Sequence, residues 1–211
     1  MRLRSIGDTV LATPSLIALR RFLPDAQIDI LLEDWVAPVL DGFDAVDNVL
    51  TVSKEAKDRL IIARKIRQNK YDVAFNLHGG TTATFLIRAS GAPHRVGYSY
   101  YQYSFLYNHL LSSATDFWQQ EKTHSAEQQL ALLGFVGVPV EDKPKSRLFV
   151  TEKALNSIEN NLKSKIQNPK SKIALLHPVA AFDTKLFSCK NSATRAKFSV
   201  AHCFVSNAAT G

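Results

Sequence analysis

Short apolar runs alternate along the chain with longer segments in which apolar residues recur at helical spacing. The runs predict strands at 2–6, 27–32, 48–52, 73–77, 95–97 and 172–176. The spacing predicts helices at 13–23, 36–40, 54–69, 81–90, 124–135 and 151–166. Strands that alternate with helices indicate a parallel, doubly wound sheet. Residues 98–118 are rich in Tyr and Phe without a clear period, and we predict a partly buried loop or a broken helix there.

The helix at 54–69 has an apolar and a basic side. The apolar side is predicted to comprise Leu60, Ile61, Ala63 and Ile66. The basic side, which faces solvent, is predicted to comprise Lys57, Arg64, Arg67 and Gln68. The basic side is most simply a solvated face. Contact with an anionic membrane or with the phosphates of a ligand is the alternative.

The 211 residues suffice for one α/β domain and part of a second. We predict a Rossmann-like domain at 1–150, a helix and the start of a second domain at 151–187, and an irregular tail at 188–211, which has no acidic residue. No apolar run reaches the roughly 18 residues of a membrane span. The N-terminus does not have the pattern of a signal peptide, so we expect a cytoplasmic protein.

The net charge of +7 favours an anionic partner, either nucleic acid, an anionic membrane or a phosphorylated glycolipid. No strong nucleic-acid motif is found, and we predict no nucleic-acid partner. Cys189 and Cys203 match no metal spacing and are interpreted as free thiols, and we predict no metal site.

Parallel sheets bind ligands beyond the carboxyl ends of their strands. Four predicted loops lie there, at 5–13, 33–34, 76–80 and 177–187. In the first, Gly7 allows close backbone approach or a positive φ, and Asp8 can act as a general base on a hydroxyl. A capping role for Asp8 is the alternative.

The other loops offer further candidates. His78 follows Asn76 at a strand exit and can face the crevice, although a structural histidine is the commoner case. Thr184 and Lys185 follow the last predicted strand and can hold a diphosphate. The loop has no Walker A pattern. The alternative for Lys185 is an ordinary surface lysine.

Four segments, in order, resemble glycosyltransferase family 9, whose best-known members are the ADP-heptose:lipopolysaccharide heptosyltransferases. They are SIGDTVLATPSLIALRRFLPDAQIDILL, YDVAFNLHGG with SGAPHRVGY, KTHSAEQQLALLGFVGVP, and IALLHPVAAFDTKLF. Together they cover residues 2 to about 187. The resemblance implies a GT-B architecture, in which an N-terminal domain takes the acceptor and a C-terminal domain takes the nucleotide-sugar.

The resemblance also implies site residues. Asp8 matches the family's catalytic base, Thr184 and Lys185 match its contacts to the donor diphosphate, and we place Gly7, Asn76 and His78 in the acceptor cleft. The implied reaction is inverting transfer of a heptose, or a related sugar, from an ADP-sugar to the lipopolysaccharide inner core. It needs no cofactor and no metal. A lipid A-type acceptor would place the protein at the inner face of the inner membrane, with peripheral contact.

Only the start of the donor domain is recognisable, so we expect the chain alone to be weak or inactive, because positioning supplies much of the rate enhancement. A non-catalytic module that binds a glycolipid or an anionic membrane is the first alternative. A decayed gene product without function is the second.

Overall fold

A computed structural model describes residues 1–165, with side chains to residue 161. In this range the strands are β1 (Asp29–Glu33), β2 (Asn48–Val52), β3 (Val73–Phe75), β4 (His94–Tyr98) and β5 (His109–Leu111). The α-helices are α1 (Ile6–Val10), α2 (Thr13–Phe22), α3 (Ala56–Gln68), α4 (Thr81–Ala89), α5 (Ala114–Trp118), α6 (Ser125–Gly134) and α7 (Glu152–Lys165). Short 3-10 helices occupy Ala37–Leu40 and Ser104–Leu106.

All strand pairs in residues 1–165 are parallel. β1 pairs with β2, and β4 pairs with β3 on one side and β5 on the other. The segment 1–3 runs between these two sheets. The Arg2 amide donates to the Leu31 carbonyl (3.1 Å), and the Leu77 amide donates to the Met1 carbonyl (3.0 Å). The N-terminal segment therefore joins the two sheets into one continuous parallel array.

Helices cover both faces of this array, as the side chains of β1 show. Leu31 belongs to an apolar cluster that includes Ile62 of α3 and Leu86 of α4. Its neighbours Ile30 and Leu32 belong to a different cluster, which includes Leu16 of α2. Alternate residues of a strand point to opposite faces, so β1 is buried on both sides.

Several predicted elements are confirmed and two strands are shorter than expected. The strand predicted at 73–77 ends at Phe75. The strand at 48–52 has the predicted bounds, and helices are found at 13–22, 56–68, 81–89 and 125–134, within the predicted ranges. Of the strand predicted at 2–6, however, only the part up to Leu3 bonds to the sheets. Ser5 has a φ of 73°, which turns the chain into α1, where a loop from 5 to 13 was expected.

The predicted apolar side of α3 is partly wrong. Ile62 and Ile66 are buried, whereas Leu60 and Ile61 are 69% and 64% exposed. Residues 62 and 66 are four apart and share one helix face, while 60 and 61 project away from it. The composition of the helix indicated its amphipathic character but not which apolar residues face the core.

The prediction of a loop or broken helix at 98–118 is also wrong, because this segment contains β5 and α5. The strand is only three residues long and has no alternating pattern. Distant contacts hold it in place: Asn108 accepts from the Arg95 amide (2.7 Å) and donates to the Pro93 carbonyl (2.5 Å). Such tertiary hydrogen bonds leave no periodic signal in the sequence.

The chain divides into two compact units, Met1–Leu155 and Asn156–Gly211. The strand predicted at 172–176 and the tail at 188–211 lie outside the described residues. The predicted division at 150, 187 and 188 stays a prediction. No helix within residues 1–165 is long and apolar enough to cross a membrane.

Candidate functional site

A pocket of about 240 Å³ lies where the N-terminal segment 1–3 and β3 end. The pocket therefore lies beyond the carboxyl ends of the parallel strands, where sheets of this kind bind ligands. The lining comprises Arg2, Asp8, Leu77, His78, Tyr98, Tyr100, Tyr101, Ser125, Gln128, Gln129 and Leu132. Two residues predicted from separate loops, Asp8 and His78, are thus brought to one cavity.

Asp8 lies in the short helix α1, which the turn at Ser5 directs over the sheet edge. The Ser5 hydroxyl accepts from the Asp8 amide (3.4 Å) and caps the helix. The Asp8 side chain is 39% exposed, and its Oδ2 forms an ion pair with Arg2. One carboxylate oxygen is therefore held by a cation, and the other remains to meet a ligand.

Gly7 differs from the prediction in one respect. It adopts a helical conformation, and the positive φ of this loop belongs to Ser5. A Cβ added at Gly7 would meet no atom within 4 Å. Gly7 therefore leaves space beside the backbone for a group that does not belong to the described part of the chain.

Arg2 connects the predicted residues, although nothing in its sequence context singles it out. Its Nη1 donates to the Leu77 carbonyl (2.8 Å) and lies 3.4 Å from Nδ1 of His78, while Nη2 pairs with Asp8. The guanidinium is mostly buried. Arg2 therefore fixes the carboxylate and the imidazole relative to one another.

His78 is neutral at ordinary pH. Burial, followed by the positive charges of Arg2 and Arg4, lowers the pKa of His78 from 6.5 to about 4. Because Arg2 donates toward Nδ1, the ring proton is assigned to Nε2. His78 thus offers a hydrogen-bond donor and is a poor base at neutral pH.

The low pKa of His78 predicts a pH dependence of stability. The unfolded chain binds the proton more tightly, so the free energy of unfolding should fall as pH drops from 6.5 toward about 4. His78→Asn keeps an acceptor for Arg2 but removes the titration. We expect a difference between the two proteins on the order of 1 kcal/mol at the acid end, because solvent screens a half-buried ring.

Urea midpoints measured at several pH values would check this. The buried amino group of Met1, whose pKa burial lowers to about 5, acts in the same direction in both proteins, so the difference between them reports the titration of His78 together with its coupling to this amino group. Parallel pH profiles for the wild type and His78→Asn would contradict the assignment.

Asn76, predicted as a cleft residue, is fully buried and does not line the pocket. Its Oδ1 accepts from the amides of His78 (2.9 Å) and Gly79 (3.0 Å), and its Nδ2 donates to the hydroxyl of Tyr107 (2.6 Å). Gly79 has a φ of 80°, and a Cβ there would lie 2.7 Å from the Tyr101 ring. Asn76 therefore shapes the turn that presents His78.

The loop at 33–34 has a structural role. Glu33 is buried and accepts from Arg4 Nε (2.7 Å) and Trp35 Nε1 (2.8 Å). Burial alone would raise the pKa of Glu33, but the hydrogen bonds from Trp35 and Arg4 lower it below its usual value. Both carboxylate oxygens are thus engaged within the protein.

The remaining lining residues were missed by sequence reasoning. Tyr98, Tyr100 and Tyr101 belong to the segment 98–118. Its composition is rich in Tyr and Phe but does not predict its structure. Ser125, Gln128 and Gln129 lie at the start of α6, where His124 and Glu127 form a capping box. The apolar pattern of α6 predicted the helix but not that its first turn closes a pocket.

Thr184 and Lys185, the predicted donor contacts, lie outside the described residues. Within residues 1–165, no group of three or more His, Cys, Asp or Glu side chains is arranged to hold a metal ion. The expected independence from metals and cofactors stays a prediction.

Comparison with known proteins places this fold and site in context. Residues 59–193 match the family described as glycosyltransferase family 9 (heptosyltransferase). Over 129 residues the chain is 30% identical to lipopolysaccharide heptosyltransferase 3 of Escherichia coli, an alignment of 58% of this chain and 35% of that protein. The corresponding protein of strain K12 is 27% identical over 64% of this chain and 41% of its own length. The chain thus spans about two fifths or less of these relatives.

Two solved structures share the fold. A family 9 glycosyltransferase from Veillonella parvula superposes with a TM-score of 0.75 at 20% identity, over 88% of this chain and 54% of that one. The ADP-heptose lipopolysaccharide heptosyltransferase II of E. coli gives 0.60 at 20% identity, over 77% and 50%. These likenesses confirm the predicted α/β fold of the GT-B type, with Rossmann-like parallel sheets. The family match covers more than half of the 211 residues, and the chain belongs to glycosyltransferase family 9.

Proposed function

We propose that this chain provides the acceptor half of an inverting glycosyltransferase that moves a heptose from an ADP-sugar to the lipopolysaccharide inner core. The observation that carries the proposal is the half-exposed carboxylate of Asp8, held by Arg2 at the rim of a small polar and aromatic pocket. The family membership and the names of the related heptosyltransferases support the choice of sugar and acceptor.

In the proposed reaction, an acceptor sugar hydroxyl enters the pocket and gives its proton to Asp8. The hydroxyl oxygen attacks the anomeric carbon of the donor in line, the bond to the diphosphate breaks, and the configuration inverts. Arg2 keeps the carboxylate in place, and neutral His78 donates a hydrogen bond to the acceptor. Thr184 and Lys185 are proposed to stabilise the charge that develops on the leaving nucleoside diphosphate.

A transfer assay tests the proposal. The 211-residue chain, and the same chain extended with a complete donor domain from a relative, would each receive ADP-heptose and a lipid A–Kdo acceptor. We expect transfer by the extended protein and little by the chain alone, because the donor must be held against Asp8. No transfer by either protein, with circular dichroism showing a folded domain, would favour the alternative of a non-catalytic glycolipid-binding module.

We further propose that α3 contacts an anionic membrane. Its solvent side carries Leu60 and Ile61 beside Lys57, Arg64 and Lys65, all exposed. Apolar side chains surrounded by basic ones suit an interface that combines acyl chains with anionic head groups. A peripheral contact of this kind suits an acceptor that is itself anchored in the membrane.

Vesicle cosedimentation checks the membrane contact. We expect binding to phosphatidylglycerol-containing vesicles but not to pure phosphatidylcholine, and a loss of about tenfold in affinity for Leu60→Ser/Ile61→Ser, since each side chain contributes part of its burial free energy. Phe22→Ser, which removes an exposed apolar residue from α2, serves as the control. Equal binding of the double variant and the wild type would exclude α3 as the contact.

A further inference from the structure

Three tyrosines at and just after the end of β4 form one cluster at the pocket. Tyr98 and Tyr100 stack with ring centroids 4.9 Å apart and planes at 22°. Tyr101 meets both edge-on, at 5.5 and 5.3 Å. Offset stacking and edge-to-face contact are the favourable arrangements of aromatic rings, so each ring supports the orientation of the others.

Two of these rings are fixed from behind. Tyr98 is buried, and its hydroxyl donates to the Gln128 carbonyl (2.5 Å). Tyr101 packs against Gly79, where no Cβ intervenes. Tyr100 lies against this support, lines the pocket and is 64% exposed. A large apolar ring face is thus presented at the pocket in a preset orientation.

A second feature of the pocket points to a ligand. Gln129 is only 6% exposed, and its Oε1 has no hydrogen-bond partner within the part of the chain that the structure describes. The same holds for Nε of Arg2, whose side chain also lines the pocket. A buried polar atom without a partner is unfavourable, so a pocket with one free acceptor and one free donor favours a ligand rich in hydroxyls.

We infer that Tyr100 and Gln129 form a subsite for one sugar ring of the acceptor and determine which sugar is accepted. The C–H groups of a sugar face carry partial positive charge and suit the negative face of Tyr100. A hydroxyl of the same ring donates to Oε1 of Gln129. The volume of about 240 Å³ is below the roughly 300–1,000 Å³ of pockets for larger ligands, which limits the occupant to one ring.

The inference rests on the proposed function, and the experiment separates the two. Kinetics of the chain extended with a donor domain would be measured for Tyr100→Ala, Tyr100→Phe and Phe105→Ala. We expect Tyr100→Ala to raise the KM for the acceptor about tenfold, with kcat and the KM for the donor changed less than about threefold. Tyr100→Phe keeps the ring and should behave as the wild type. Phe105 is an exposed aromatic outside the pocket lining and serves as the control.

Gln129→Met provides a second test of the subsite, which remains informative even if Tyr100→Ala does not fold. Because Oε1 is unpaired, this change should leave thermal stability equal or higher. The acceptor KM should nevertheless rise several-fold. A structural role for Gln129 would instead lower stability and leave the acceptor KM unchanged.

Saturation-transfer NMR with the deacylated inner-core oligosaccharide tests binding without turnover, on the 211-residue chain itself. Signals from one sugar ring that disappear in Tyr100→Ala but persist in Asp8→Asn support the subsite. Unchanged acceptor KM and unchanged NMR signals in Tyr100→Ala overturn the subsite even if transfer occurs. If no transfer occurs but the sugar-ring signals still depend on Tyr100, the proposed reaction is overturned and the sugar subsite is retained.

Discussion

We expect Asp8→Asn, in the chain extended with a donor domain, to lower the transfer rate by about 100- to 10,000-fold, the usual contribution of a general base. Asparagine has nearly the same shape, and its side-chain oxygen can still accept from Arg2. The fold and the pocket should therefore persist, while the group that takes the proton is removed. The loss should appear in kcat, with the acceptor KM changed little.

The structure argues for Asp8 over His78, the other candidate base of the pocket. Nδ1, the unprotonated ring nitrogen of His78, faces Arg2, so this neutral ring has no lone pair free to take a proton from an acceptor hydroxyl. Asp8 is ligated through Oδ2 by a guanidinium and is half-exposed at the rim. We therefore expect His78→Asn to lower the rate much less than Asp8→Asn.

A matched control separates the loss of a base from the loss of an ion pair. Asp142 pairs with Arg21 at the surface, with both side chains more than half exposed. Asp142→Asn removes an ion pair of the type usually worth about 0–1 kcal/mol and should leave transfer unchanged. Retention of more than about a tenth of the wild-type rate by Asp8→Asn would exclude general-base catalysis by Asp8.

The elements that depend on local pattern could be predicted from the sequence. β2 matched its β-branched run, and α6 matched its apolar spacing. Where long-range contacts decide, prediction failed. Ser5 adopts a positive φ that its residue type gives no reason to expect, and β5 is three residues long and is fixed by Asn108 from outside.

The site divides in the same way. Asp8 and His78 were identified because each follows a predicted strand, and parallel topology brings such loops together. Arg2, Tyr100 and Gln129 come from the N-terminal segment, an aperiodic segment and a helix. They meet only after the sheet is assembled, and a single sequence contains no signal for that meeting.

The second large effect concerns stability. We expect Asn76→Leu to lower the free energy of unfolding by about 3 kcal/mol, although leucine is of similar size. The change removes the acceptor for the amides of His78 and Gly79 and the donor to Tyr107. The Tyr107 hydroxyl in turn donates to Thr84 (2.9 Å), so the loss opens a buried network that joins the end of β3, α4 and the segment before β5.

Chemical denaturation of Asn76→Leu and Asn76→Asp would measure the effect. The aspartate variant would keep both acceptor bonds to the backbone, and in its protonated form it would also keep a donor to Tyr107. At acidic pH, where no charge is buried, we therefore expect a smaller loss for it than for leucine. Asn48→Ala removes an exposed amide that bonds Asp29 (2.9 Å) and should cost less than about 1 kcal/mol. A loss for Asn76→Leu as small as that of Asn48→Ala would contradict the network.

A double-mutant cycle with Tyr107→Phe assigns the loss to the network itself. In Asn76→Leu the Tyr107 hydroxyl lacks its donor, and removing that hydroxyl as well should cost less than it does in the wild type. We expect a coupling of about 1 kcal/mol between the two positions. Additive losses would mean that Asn76 acts only through the turn at His78 and Gly79. In either case Asn76 acts on the pocket through buried hydrogen bonds, which explains why its side chain does not line the pocket although Asn76 follows the end of a strand.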